Sequence, residues 1–118
     1  MIDYRSEQDS PVIEVRASGK ITESELEACF DRVRPDLARG KTRVLEIIDQ
    51  FKGMDAKAMA VDLRFGPGMA QKVTRVAVVA DQSWVRGAAH LGGLFTRAEL
   101  RVFKPEQLAE ARSWISED

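Results

Sequence analysis

The chain has 118 residues, 44% hydrophobic and 31% charged, with 18 basic against 19 acidic side chains for a net charge of −1. That balance fits one soluble globular domain over residues 1–118, not a disordered or fibrous chain, and without a run of like charge nucleic acid is not an expected partner. One cysteine, Cys29, and one histidine, His90, exclude an intrachain disulfide and a metal centre built from several of either, and nothing in the composition calls for a cofactor.

The opening Met-Ile-Asp-Tyr-Arg-Ser-Glu lacks the basic start and apolar core of a leader. No later apolar run reaches the ~20 residues of a membrane span, so the expected location is cytoplasmic. Ile2 and Tyr4 alternate with Asp3 and Arg5, and Ile13, Val15 and Ala17 with Glu14 and Arg16. These are period-two strands with one wet face, and the polar stretch from Ser6 to Pro11 joins them as an antiparallel hairpin.

After Gly19 come three helix-start signals: Thr22 as N-cap, Glu25 completing a capping box, and Ile21 stapling onto Leu26. Leu26, Cys29, Phe30, Val33 and Leu37 then fall on one helical stripe facing a sheet. Pro35 is expected to kink or divide this helix, because it lacks an amide hydrogen and crowds the preceding turn; Gly40 is expected to end it. Val44, Leu45, Ile47 and Ile48 form a buried strand with Asp49 at its carboxyl end, followed by a loop from Phe51 to Asp55.

Asp55 can cap a second helix in which Met54 staples onto Met59, and Ala56, Met59, Ala60 and Leu63 share a face. Gly66-Pro67-Gly68 interrupts it. Either the helix stops near Phe65 or it restarts as a short turn from Met69 to Lys72, and the triplet is the expected mobile element. Val76 to Ala80 is a β-branched run with no polar break, which fits a strand buried on both faces at the middle of a parallel sheet. Asp81 and Ser83 can cap a helix that begins near Trp84 and carries Val85, Ala88, Leu91 and Leu94 or Phe95 at helical spacing, although its glycines weaken the preference. Leu100 and Val102 alternate with Arg101 as a strand near an edge. Pro105 opens a last helix burying Leu108, Ala111, Trp114 and Ile115, with Phe103 stapling onto Leu108.

The order is ββαβαβαβα, an α/β chain with a mixed sheet of about five strands that begins in an antiparallel hairpin and is covered by helices. Ligands in such sheets bind beyond the carboxyl ends of the strands, here Phe51 to Asp55 and Asp81 to Trp84.

Gly19-Lys20-Ile21-Thr22, Gly40-Lys41 before the buried strand, Asp62-Leu63-Arg64-Phe65-Gly66, Arg75-Val76-Ala77-Val78-Val79 with Asp81 and Trp84, and the close with Glu99, Phe103, Ala111 and Trp114 together resemble the SpoIIAA-like family of small bacterial proteins. That family is grouped with STAS domains and with the Sec14 (CRAL-TRIO) lipid carriers. The resemblance runs from about Ile13 to Ile115, and implies a STAS-like αβ sandwich with an apolar-ligand-binding or membrane-associating function. In the sporulation protein that names the family, a serine at the start of the second helix is phosphorylated to break binding to an anti-sigma kinase. This chain has no Ser or Thr between Thr42 and Thr74, so that switch does not carry over.

The candidate ligand site is the apolar set Phe51, Met54, Met59, Leu63, Phe65 and Met69, flanked by Lys52, Lys57, Arg64 and Lys72. Methionines adapt to irregular ligands, each large side chain buried in an acyl chain contributes roughly 1.5–3 kcal/mol, and the basic neighbours favour anionic head groups. The bland reading is that Met59 and Leu63 are core. Trp84 with Leu91 and Phe95 forms the opposite wall of a pocket between the second and third helices, or else Trp84 packs at a strand-to-helix corner with its N–H on a carbonyl.

Of the carboxylates near that edge, capping explains Asp55 and Asp81, and Asp62 can pair with Arg64, Arg75 or Arg86; Asp49 lies with them. Cys29 is on an apolar stripe, where packing is the expected role, and His90 has no nucleophile near it in sequence. No catalytic residues are expected. The sequence therefore reads as a non-enzymatic domain that binds a lipid-like or small apolar molecule, or touches a membrane surface. Protein docking through the second helix is the alternative, and homodimerisation through an apolar helix face a third.

Overall fold

The second parallel strand organises the molecule because its side chains serve two cores at once. In the computed structural model, which describes residues 1–81 and 97–117, this strand is β3 (Arg43–Met54), following β1 (Ile2–Ser6), β2 (Val12–Ile21) and the helix α1 (Glu23–Ala38). After it come α2 (Ala56–Ala70), β4 (Arg75–Val79), β5 (Glu99–Phe103) and, beyond a 3-10 turn at Pro105–Gln107, α3 (Leu108–Ser116). The sheet order is β1-β2-β3-β4-β5, with β1 antiparallel to β2 and every later pair parallel. This is the expected mixed five-stranded sheet and element order; the helix expected from Trp84 lies outside the described residues.

Period two assigns the faces. Val44 and Ile48 of β3 with Val76, Val78 and Ala80 face α1 and α2, whereas Leu45, Ile47, Ala77 and Val79 face α3. Val76 to Ala80 are all buried, as a central parallel strand requires.

β3 runs further than its apolar stretch. Phe51 to Met54, expected as a loop, stay paired to β2 as Gly19↔Phe51, Lys20↔Gly53 and Ile21↔Met54. Irregular backbone on both strands absorbs the register breaks: φ is +64° at Gly19, +51° at Gln50 and +103° at Gly53. Two of those positions are glycines, which reach such angles without a Cβ penalty.

α1 begins as its sequence specifies. Thr22 Oγ1 accepts from the Glu25 amide at 3.3 Å, and the Thr22 amide donates to Glu25 Oε2 at 3.2 Å. Its apolar stripe is buried or half-buried against the sheet. Pro35 does not divide it: the helix continues to Ala38, and one missing amide near its end costs one ladder bond. Gly40, at φ +92°, then closes a Schellman motif, its amide donating to Leu37 O at 3.0 Å and that of Lys41 to Asp36 O at 3.0 Å.

Asp36 and Lys41 are buried ions joined to the hairpin. Tyr4 OH donates to Asp36 Oδ2, and Lys41 Nζ to the carbonyls of Glu7 and, at 2.8 Å, Ser10. Burial works to push the Asp36 carboxyl up, but hydrogen bonds to Tyr4 and Ser6 with the Lys41 and Arg39 charges hold it below the usual range.

α2 starts on Asp55, whose Oδ1 accepts from the Ala58 amide at 2.8 Å. It then runs unbroken through Gly66-Pro67-Gly68, neither stopping near Phe65 nor restarting at Met69. A proline ring disfavours the helical region at the preceding residue by meeting its N–H and its Cβ, and Gly66, having no Cβ, escapes the second of these contacts. Nor does α2 bury the expected face. Ala58, Val61, Met69 and Ala70 turn inward, while Met59 and Leu63 are 53% and 65% exposed.

Candidate ligand site

Between the sheet and the α1–α2 layer lies a cavity of about 170 Å³. β2 contributes Ile13, Val15 and Ala17 to its wall, and β3 contributes Val44, Glu46, Ile48, Phe51 and Met54. α1 turns Leu26, Cys29, Phe30 and Val33 into it; Asp62, Gly66 and Met69 come from α2. A second depression, of about 310 Å³ beside α3, has a wall that mixes polar and apolar residues, with Arg112 and Glu14 paired at 3.2 Å on it.

The sequence-derived set splits across α2. Phe51, Met54 and Met69 line the cavity, whereas Met59, Leu63 and Phe65 stand outside it. Phe65 is 39% exposed, its ring between the guanidinium groups of Arg34 at 5.1 Å and Arg64 at 5.2 Å. Trp84, Leu91 and Phe95 lie outside the described residues, as do Arg86 and His90. Of the four aspartates, Asp62 reaches the cavity and Asp55 caps α2. Asp49 pairs with Arg16 at 3.7 Å, and Asp81 is exposed.

Sequence reasoning passed over Glu46. It interrupts Val44-Leu45-Glu46-Ile47-Ile48 in register with Val44 and Ile48, and period two therefore sends its carboxyl to the α1–α2 side. Its neighbours across the strands are Val15 and Val78. A lone acid at an inward position of a central strand was the available signal.

Burial in this apolar setting, with a smaller contribution from the Asp62 charge, pushes Glu46 up to about 7. Burial likewise raises the Cys29 thiol to about 11, Glu46 adding to the effect and Arg32 opposing it. Cys29 is accordingly a neutral thiol at physiological pH, poorly suited to nucleophilic or metal chemistry. The cavity offers an apolar envelope with two carboxyls in its wall.

A family model described as SpoIIAA-like matches residues 12–116. The chain belongs to the SpoIIAA-like family. An uncharacterised protein with a SpoIIAA-like fold from Shewanella loihica is similar over 98% of this chain and 92% of its own, with a TM-score of 0.76 at 24% identity. The anti-sigma factor antagonist SpoIIAA in its unphosphorylated form follows with a TM-score of 0.64 at 10% identity, over 96% of this chain and 98% of its own. The Bacillus cell fate determinant SpoIIAA in its phosphorylated form gives 0.63 at 13% identity, over 93% and 97%. A comparison with curated protein sequences gave no match. Likeness at these identities carries the SpoIIAA-like fold alone. No helix among the described residues is long and apolar enough to cross a membrane.

Proposed function

We propose that this SpoIIAA-like chain is a non-enzymatic, cytoplasmic binding domain that receives a small apolar molecule in the cavity between the sheet and its α1–α2 layer. The observation that carries the reading is the cavity itself, about 170 Å³ of largely apolar wall at the heart of the larger core. An enclosed apolar space of about 150 Å³ holds a benzene-sized guest, so the size favours a compact ring or short chain over a whole lipid. Binding of toluene or indole, followed by ligand-observed NMR, tests it. The native protein is expected to bind, and Val33→Phe, which fills the space from α1, to lose binding while keeping its fold. Equal binding by both proteins would place the guest elsewhere.

A second reading, docking of a protein partner, draws on the exposed face of α2. Met59 and Leu63, four residues apart and therefore on one face, are exposed on the outer side of that helix. Leu63→Asp is then expected to abolish partner capture while leaving small-molecule binding intact, which separates the two readings in one variant.

A further inference from the structure

We infer that the molecule taken by this cavity is an amine: its apolar body fills the space beneath α1 and α2, and its ammonium group lies against the carboxyls of Glu46 and Asp62. The inference rests on the cavity reading above and deepens it by naming the ligand's chemical class. Placing a carboxyl at an inward position of β3 opposes folding, since an ionised acid taken from water into apolar surroundings loses its hydration unless a counter-charge replaces it. A valine or leucine there would match Val44 and Ile48 on either side. The chain instead carries a glutamate, and Asp62 of α2 brings a second acid to the same wall.

The groups that face Glu46 supply no positive charge among the described residues. β2 and β4 present Val15 and Val78, α1 presents the neutral thiol of Cys29, and α2 presents Asp62. On α1, Arg32 is stacked 4.4 Å over the Tyr4 ring and Arg34 5.1 Å from the Phe65 ring. Asp62 has contacts of its own, whereas Glu46 is part-buried and lines the cavity, where its carboxyl is open to a guest. An anionic ligand would meet like charge from both acids. A neutral one would leave Glu46 desolvated without compensation. A cationic nitrogen on a small apolar body satisfies wall and carboxyl together, with a charge-assisted hydrogen bond in a setting of low dielectric.

The sign of the pH dependence separates the classes. An ammonium needs Glu46 ionised, so its affinity rises with pH, by up to about tenfold per unit on the acid side of the transition. The rise levels off above about pH 7, where Glu46 is already charged, and reverses only when the amine loses its proton. A neutral guest follows the opposite course, because it is best received when Glu46 is protonated. The experiment is calorimetric titration of the full chain with benzylamine, benzyl alcohol and benzoate between pH 5 and 8.5, repeated with Glu46→Gln after its fold is checked by circular dichroism. Benzylamine is expected to bind most tightly with affinity rising with pH, and benzoate most weakly. Glu46→Gln is expected to lose the preference for benzylamine and its pH profile, while still binding benzyl alcohol. Benzyl alcohol bound as tightly as benzylamine by the native chain, or benzylamine affinity that falls with pH, would overturn the amine assignment and leave the cavity reading standing. Failure of all three probes would remove both.

Discussion

The two faces of the sheet are built to different standards. Against α3, Leu45, Ile47, Ala77 and Val79 meet Phe103, Ala111, Trp114 and Ile115, all of them buried. The rings of Phe103 and Trp114 lie 6.0 Å apart in a tilted pair, and Arg75 and Arg101 cover the indole at 5.0 and 5.2 Å. The end of α3 is held as well. Arg43 Nη1 donates to Ile115 O at 3.0 Å and Arg75 Nη1 to Trp114 O at 3.0 Å, supplying the last-turn carbonyls with cationic donors. Against α1 and α2 the same strands border a cavity and carry an acid. One face is spent on cohesion, and that leaves the other free to forgo close packing and to hold charge where a guest can use it.

The largest expected effect comes from breaking the dense face. Trp114→Ala should destabilise the chain by about 3–5 kcal/mol, as large-to-small changes in a packed core do, read as a fall in the denaturant midpoint; a loss below about 1 kcal/mol would contradict the assignment of cohesion to this side. Next comes the pH dependence of the looser face. The folded chain holds the Glu46 proton more tightly than the unfolded one, with a pKa of about 7 against an ordinary 4.5. The associated penalty is therefore absent below the ordinary value and grows as pH rises towards 7, reaching at most about 3 kcal/mol. Stability should fall with pH across that window in the unliganded protein. Glu46→Gln should flatten the fall, and identical unfolding curves for both proteins at pH 5 and 7.5 would refute it.

Smaller effects sharpen the contrast within the looser face. Asp55→Ala removes the cap of α2 and should cost about 1 kcal/mol, measurable by chemical denaturation. Leu63→Asp lies on the outer side of the same helix and should alter stability by no more than about 0.5 kcal/mol. A substantially larger loss would mean that Leu63 is enclosed in solution.

Local chemistry made much of this legible. Thr22 with Glu25, Gly40 and the apolar run from Val76 to Ala80 each specify one conformation through one mechanism, and the molecule uses all of them. The misreadings arose where local signals were ambiguous or were outweighed. α2 has two apolar stripes, one through Met59 and Leu63 and one through Ala58, Val61 and Met69. Periodicity finds both but does not say which one meets the sheet. Gly66-Pro67-Gly68 reads as a breaker because both residue types usually are, yet glycine before proline lacks the Cβ that supplies part of the clash, and α2 runs through. The carboxyl half of β3 was hidden because its pairing depends on left-handed backbone at Gln50 and Gly53, set by the partner strand. Phe51, Met54 and Met69, expected at a ligand site beside the second and third helices, line a cavity between the sheet and the α1–α2 layer instead; Glu46 was missed because its meaning comes from its neighbours across the strands, Val15 and Val78.

The strands also stand side by side in the order in which the chain supplies them. Among the described strands, each after β1 pairs with the one made just before it, and none is inserted between two earlier ones. Assembly by successive addition at a single growing edge is thereby open to this chain, and it finishes at β5.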